Sequence, residues 1–227
     1  MRGRWRFVAL AATAVAIYAI AAWLLLLPPV HLPPAHPLAV GEACPDPSSL
    51  NRLRERQLIL FVPLAEISPH VVDAVLGQED AFYHHRGVDW NQLVRALFRD
   101  LRVREYRYGA GTLTMQLMRE LFLDKDRTVL RKLREIAYAL QAERRLGKQE
   151  ILELYLNVVH WGPGIRGVGT ASCYYFGVPP AALSAEEARE LVSVLPNPER
   201  LGPALRERRR TGRAAGSRAV AAVTFER

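Results

Sequence analysis

Between positions 79 and 89 the chain places Glu79, Asp80 and Asp89 together with a histidine pair, His84 and His85. Three carboxylates and two imidazoles gather where an apolar helical stripe stops. A carboxylate near a helix C-terminus meets the negative end of the helix dipole, which raises its pKa and makes it a better proton acceptor. That suits Glu79 to general-base chemistry. Metal ligation competes, because all three residue types are ligands, although the helical His-Glu-x-x-His spacing is missing. A structural use competes as well, with Asp80 and His85 tying the loop and Asp89 capping a following helix from Trp90 to Leu101.

A second constellation is Arg131-Lys132-Leu133-Arg134-Glu135. On a helix Arg131 and Glu135 are i and i+4, and Lys132 and Glu135 are i and i+3, so two cations and a carboxylate share a face. The ordinary reading is a solvated ion-pair ladder. The chemical reading is a place where cations hold a phosphate while the carboxylate orients a cation, a metal or a reacting hydroxyl. Between the two constellations, Tyr108-Gly109-Ala110-Gly111-Thr112-Leu113-Thr114-Met115-Gln116-Leu117 runs a glycine-rich turn into Thr and Gln side chains. Backbone N–H groups and hydroxyls at a helix start can hold an oxyanion or sugar hydroxyls. No Gly-Lys-Ser/Thr follows, so this is not a P-loop.

Helices must position these groups. Ser68-Pro69 reads as an N-cap with proline at the first helical position, and Val71, Val72, Val75 and Leu76 form a stripe that ends near Gln78 or Glu79. Asp126 or Thr128 caps a helix in which Leu130, Leu133, Ala137 and Leu140 recur, with Gly147 as its stop. Ile151, Leu152, Tyr155 and Leu156 mark another. Ser184 with Glu187 is a capping box opening a helix through Leu195, terminated by Pro196 and Pro198. Strand-like alternation is nearly absent, and the expectation is a mainly α domain over 50–204.

Charge is unevenly spread along the 227 residues, which hold 31 Lys and Arg against 23 Asp and Glu, a net of +8. Residues 86–148 carry fifteen basic and eight acidic residues, a belt of +7 between segments of −4 (41–85) and −3 (149–204). A localised belt fits a compact anionic ligand better than a long polyanion, so nucleic acid is not expected. Residues 205–227 add an Arg/Ala-rich tail of +5, expected to be mobile or partly helical. Upstream, Arg99, Arg102, Arg104 and Arg107 alternate with Leu101, Val103, Tyr106 and Tyr108 and could rest on lipid head groups.

Residues 7–27 form a run of 21 residues without a charge, the length of a membrane-crossing helix. Arg2, Arg4 and Arg6 precede it and the next basic residue is Arg52, which puts the N-terminus (1–6) in the cytoplasm. Residues 28–49 then read as a stiff spacer, since Pro28 to Pro47 holds seven of the fifteen prolines. The spacing of Cys44 and Cys173 favours no pairing, and Cys173 is expected to be a buried free thiol.

Taken in order, the segments resemble the peptidoglycan glycosyltransferases, the lysozyme-like transglycosylases of penicillin-binding proteins, and most closely the monofunctional members. The resemblance covers about residues 60–204. The family's E-D-x-x-F-x-x-H-x-G-x-D is matched by Glu79, Asp80, Phe82, His85, Gly87 and Asp89. Its G-[AG]-S-T-[IL]-[ST]-[QM]-Q is matched by Gly109 to Gln116, with Gly111 where serine is usual, which removes one hydroxyl. R-K-x-x-E is matched by Arg131, Lys132 and Glu135, and K-x-x-I-L-E-x-Y-L-N by Lys148, Ile151, Leu152, Glu153, Tyr155, Leu156 and Asn157. Tyr175-Phe176-Gly177 and Leu195-Pro196-Asn197-Pro198 fit later motifs.

The resemblance implies a lysozyme-like helical domain behind a single N-terminal transmembrane helix. The implied activity is polymerisation of lipid II into glycan strands at the outer face of a bacterial cytoplasmic (inner) membrane, with inversion and undecaprenyl diphosphate as leaving group. Glu79 would be the general base and Glu135 would position the diphosphate, through a basic side chain or a divalent metal (Mg or Mn). Arg119, Arg127, Arg131, Lys132 and Lys148 are diphosphate candidates. Thr112, Thr114, Gln116 and Asn157 are sugar or scaffold candidates, while Asp80 and His85 organise the loop. The implied partners are lipid II, the nascent glycan strand, membrane lipids, and transpeptidases or other cell-wall enzymes. Too few residues follow 204 for a transpeptidase domain, which implies a stand-alone polymerase. Two alternatives use the same residues differently: a membrane-anchored lysozyme-like hydrolase or lytic transglycosylase, and a non-enzymatic cell-wall scaffold.

Overall fold

In the computed structural model, which describes residues 44–56, 58–78, 82–103, 111–123 and 128–225, one ten-residue helix is buried on nearly every side. Leu113, Thr114, Met115, Leu117 and Met118 of this helix are all inaccessible to solvent. A helix apolar around most of its circumference has to sit inside others. The chain arranges them as α1 (Pro47–Glu55), α2 (Pro69–Gln78), α3 (Trp90–Val103), the buried α4 (Leu113–Phe122), α5 (Val129–Ala142) and α6 (Lys148–Val158). A short hairpin follows, β1 (His160–Gly162) antiparallel to β2 (Ile165–Arg166), and then α7 (Val168–Tyr175), α8 (Ala185–Val192) and α9 (Pro198–Phe225). The protein is mainly helical, as expected. Helices α5 and α6 pack on α4, α2 packs on α8, and α9 lies along β1.

Local chemistry sets most helix starts. Thr128, rather than Asp126, caps α5 by accepting from Arg131 N–H. Ser184 and Glu187 form the expected capping box of α8. At α2 the Ser68 carbonyl accepts the first helical N–H groups, but its buried hydroxyl donates to the Leu183 carbonyl at 2.8 Å and ties α2 to the chain entering α8.

Two helix ends differ from expectation. Helix α5 stops at Ala142, because residues 143–145 turn and Gly147 takes an extended conformation at the start of α6, donating its N–H to Glu150 at 2.7 Å. Likewise α8 stops at Val192. Pro198 does not terminate a helix but opens one: it sits at the first position of α9, with Asn197 Oδ1 accepting from Arg200 N–H. The Arg-rich tail is therefore the outer part of a continuous helix.

The expectation of a free Cys173 is overturned. Cys44 and Cys173 form a disulfide with a Cα–Cα separation of 5.4 Å, closing a loop of 129 residues and holding the entry to α1 against α7. Their spacing could not reveal this, since a cross-link requires two Cβ atoms to meet in space, whatever the sequence distance. No helix among the described residues is long and apolar enough to cross a membrane. The expected span at 7–27 and the spacer up to residue 43 lie outside the described residues.

Geometry demands glycine at position 167. Gly167 has φ +75° and ψ 147°, a region closed to side chains, and a Cβ there would stand 2.5 Å from the Asn157 carbonyl oxygen. We expect Gly167→Ala to lower unfolding free energy in urea by about 1–3 kcal/mol. Cys44→Ser/Cys173→Ser should lower it too, by at most about 5 kcal/mol, the chain-entropy value for so long a loop.

Candidate active site

The start of α5 turns its polar face inward. Val129, Leu130 and Leu133 are 72%, 52% and 43% exposed, whereas Glu135 is 0% exposed. The expected apolar repeat therefore holds only in the later turns of the helix, and the solvated-ladder reading of this run is excluded. Glu135 Oε2 accepts from Arg131 Nη1 at 2.6 Å and its Oε1 from Lys132 Nζ at 2.9 Å. A buried carboxylate persists only when paired and hydrogen-bonded, and both conditions are met here. Burial pushes the Lys132 ammonium below its usual pKa, Glu135 draws it back up, and the charges of Arg131 and Arg119 depress it further. Arg131 and Lys132 thus close on one carboxylate, and Arg119 is near enough to act on Lys132, leaving an excess of positive charge.

The glycine turn comes to the same place. A Cβ on Gly111 would stand 3.4 Å from Glu135 Oε1 and 3.6 Å from Lys132 Nζ. A serine, usual at this position in the family's motif, would bring its side chain to the edge of the ion pair. Gln116 Nε2 donates to the Gly111 carbonyl at 3.2 Å, and Tyr155 Oη donates to Gln116 Oε1 at 3.3 Å. Thr112 caps α4 by accepting from Met115 N–H, while its own hydroxyl donates to the Gly87 carbonyl at 2.5 Å. Thr114 is fully buried and donates to Glu143 Oε1 at 2.7 Å.

The loop after position 81 is held from two sides. Lys148 Nζ donates to the His85 carbonyl and to Glu143 Oε1, each at 2.7 Å, and lies 4.5 Å from the centre of the buried Phe82 ring. Gly87, with φ +80°, lies flat on α5, where a Cβ would stand 2.9 Å from the Ala139 carbonyl oxygen. Burial, then the charge of Lys148, holds His85 below the ordinary histidine pKa and keeps the imidazole neutral near pH 7. Asp89 caps α3 by accepting from Gln92 N–H at 2.9 Å. Glu79, Asp80 and Arg127 lie outside the described residues.

Lys148, a diphosphate candidate, and Thr114 and Asn157, sugar or scaffold candidates, all make scaffold contacts. Lys148 is committed to Glu143 and to the loop, and Thr114 to Glu143. Asn157, 0% exposed, has no face for a sugar. Its Oδ1 accepts from Val62 N–H at 2.7 Å, and its Nδ2 donates to the Val62 and Glu153 carbonyls at 2.8 and 2.9 Å. The residue that sequence reasoning missed is Glu143. A signal for it existed, because a carboxylate beside a helix C-terminus needs a cation against the dipole, and Lys148 is five residues on. Among the described residues no group of three or more His, Cys, Asp or Glu is placed to hold a metal ion. Each oxygen of Glu135 accepts from a basic side chain, Oε2 from Arg131 and Oε1 from Lys132.

Comparison with known proteins agrees with this arrangement. Residues 46–221 match the family model described as Transglycosylase. The biosynthetic peptidoglycan transglycosylase of Rhodospirillum centenum is 45% identical over 144 residues, 63% of this chain and 62% of the relative. That of Nitrosomonas eutropha is 40% identical over 139 residues, 61% and 57% of the two chains, and that of an Azoarcus species is 38% identical over 167 residues, 69% and 72%. Against the first two, the match spans about six-tenths of the relative's length.

The scaffold reading of Asn157 has a measurable consequence. Asn157→Ala leaves both polar groups of the Val62 backbone unpaired in the interior, so unfolding free energy should fall by about 2–4 kcal/mol. Urea denaturation checks it, and an unchanged midpoint would return Asn157 to the ligand candidates.

Proposed function

The chain belongs to the transglycosylase family, and from that premise we propose that it polymerises lipid II into peptidoglycan glycan strands. A sugar hydroxyl of the acceptor attacks the anomeric carbon of a growing chain held on undecaprenyl diphosphate. The new glycosidic bond forms as the bond to the diphosphate breaks, with inversion, and the hydroxyl proton passes to Glu79. The observation that carries this reading is the pairing of Arg131 and Lys132 with the buried Glu135 beside the Gly111 turn, with the charge of Arg119 close enough to act on Lys132. A departing diphosphate gathers negative charge, and hydrogen bonds between ionic groups are roughly twice as strong as neutral ones. A hydrolase acting on uncharged glycosidic bonds has no use for such an excess of cations.

Within this reading Glu135 acts through its neighbours: it fixes Arg131 and Lys132 so that their remaining N–H groups face the diphosphate. Arg119 completes the set, with Arg127 as a further candidate. Thr112 and Lys148 position the loop that follows Glu79 through the Gly87 and His85 carbonyls. The domain is lysozyme-like and stands at the outer face of the cytoplasmic membrane, anchored by residues 7–27. Two observations support that placement. The Cys44–Cys173 disulfide suits an oxidising compartment. Helix α3 exposes Trp90, Val94 and Phe98, one turn apart, as an apolar stripe suited to lipid.

The test is incubation of the full chain with lipid II, and separately with purified glycan strands. Wild type should consume only lipid II. Glu79→Gln should keep its circular dichroism spectrum and lose about 10² to 10⁴ in turnover. Normal chain growth by that variant, or consumption of finished strands instead, would overturn the assignment.

A further inference from the structure

A second concavity of about 280 Å³ shares no residue with the site around Glu135. It is walled by α1, α7 and α9, and three arginines line it: Arg54 from the last turn of α1, and Arg206 and Arg210 from α9. Its floor is Tyr174, with the guanidinium carbons of Arg54 and Arg206 at 4.5 and 3.9 Å from the ring centre. Arginine stacks well on an aromatic face, but two guanidinium groups on one ring also repel each other. Burial and the Arg54 charge together hold Arg206 below its ordinary pKa.

Among the described residues the one acid in the lining is Glu207, which is already engaged by Arg210 through two hydrogen bonds of 2.9 and 3.1 Å. Neither Arg54 nor Arg206 has a carboxylate partner among the described residues, and Arg54 Nε is buried without a hydrogen bond. Gathering like charges at a fixed place without a counter-charge is costly, and the cost is relieved when an anion enters from outside. One guanidinium fork satisfies a planar carboxylate. Two forks from different helices suit a group with oxygens in three dimensions, which is the geometry of phosphate. The disulfide completes the site, since Cys173 precedes Tyr174 and Cys44 stands just before α1, so the cross-link presses the helix bearing Arg54 against the helix bearing the ring.

We infer that this cavity is a phosphate site, separate from the diphosphate site of the reaction, in which Arg54 and Arg206 clamp the anion above Tyr174. The phosphate could arrive free or on a lipid head group, and both offer the same oxygens. The inference does not depend on the proposed activity.

Calorimetric titration of the full chain in non-ionic detergent tests it, with two probes: inorganic phosphate, and monomeric dihexanoyl phosphatidylglycerol. Wild type should bind at least one probe saturably at one site per chain. Binding of phosphate identifies a soluble anion as sufficient, and binding of the lipid alone identifies the head group. Arg54→Gln/Arg206→Gln should weaken binding at least tenfold while lipid II polymerisation is unchanged. Arg206→Gln alone, at an exposed position, keeps the test open if the double variant fails to fold, and should weaken binding as well. Arg208→Gln, an exposed charge outside the cavity, should have no effect. Failure of both probes to bind, undiminished binding by the variants, or an equal loss in Arg208→Gln would overturn the proposal.

Discussion

A carboxylate with no exposed surface, on the second turn of α5, constrains everything near it. Glu135 can remain charged there only if cations come with it, and the nearest available are on the preceding turn of the same helix. Once Arg131 and Lys132 close on it, that end of α5 must turn its polar face inward and leave Val129, Leu130 and Leu133 outside. The chain segment packed over the pair is the Gly111 turn, where a Cβ would stand 3.4 Å from Glu135 Oε1. Through Thr112, that same segment fixes the Gly87 loop. One buried charge is therefore tied to the rotation of α5, to the glycine turn above it and, through Thr112, to the Gly87 loop.

A second, smaller polar network does for the loop what Glu135 does for the cations. Glu143 receives Thr114 from α4 and Lys148 from α6, and Lys148 passes on to the His85 carbonyl. Three stretches far apart in sequence, the His85 loop, the start of α4 and the Glu143–Lys148 turn, meet through these contacts. Charges that a bulk count would assign to ligand binding are partly spent on assembly, so the +7 of residues 86–148 overstates what is left for an anion.

Much of this was legible in the sequence, where the signal was local. Thr128 and the Ser184–Glu187 pair are caps that act within one turn, and the ion pairs of Glu135 follow from helical spacing of three and four. What spacing could not say was which way a face points. The periodicity of Leu130 and Leu133 argued for burial, and the burial of Glu135 prevailed, because an unpaired charge inside costs more than two leucines half outside. Asn157 shows the same limit. An amide in a motif with tyrosine and glutamate suggests a ligand, and only the position of Val62, 95 residues earlier, reveals that its bonding capacity is already used. The Cys44–Cys173 pairing likewise depends on where distant backbone passes, whereas Asn197 before Pro198 is a local start signal that the two prolines masked.

The disulfide also has a mechanical meaning. A pull applied to the chain before Cys44 does not peel α1 from the body one contact at a time, because the covalent link carries the load directly into α7, beside the buried Trp161, Val168 and Phe176. The domain is thus loaded at its core rather than at its edge. A tug on that segment is borne by bonds instead of by packing.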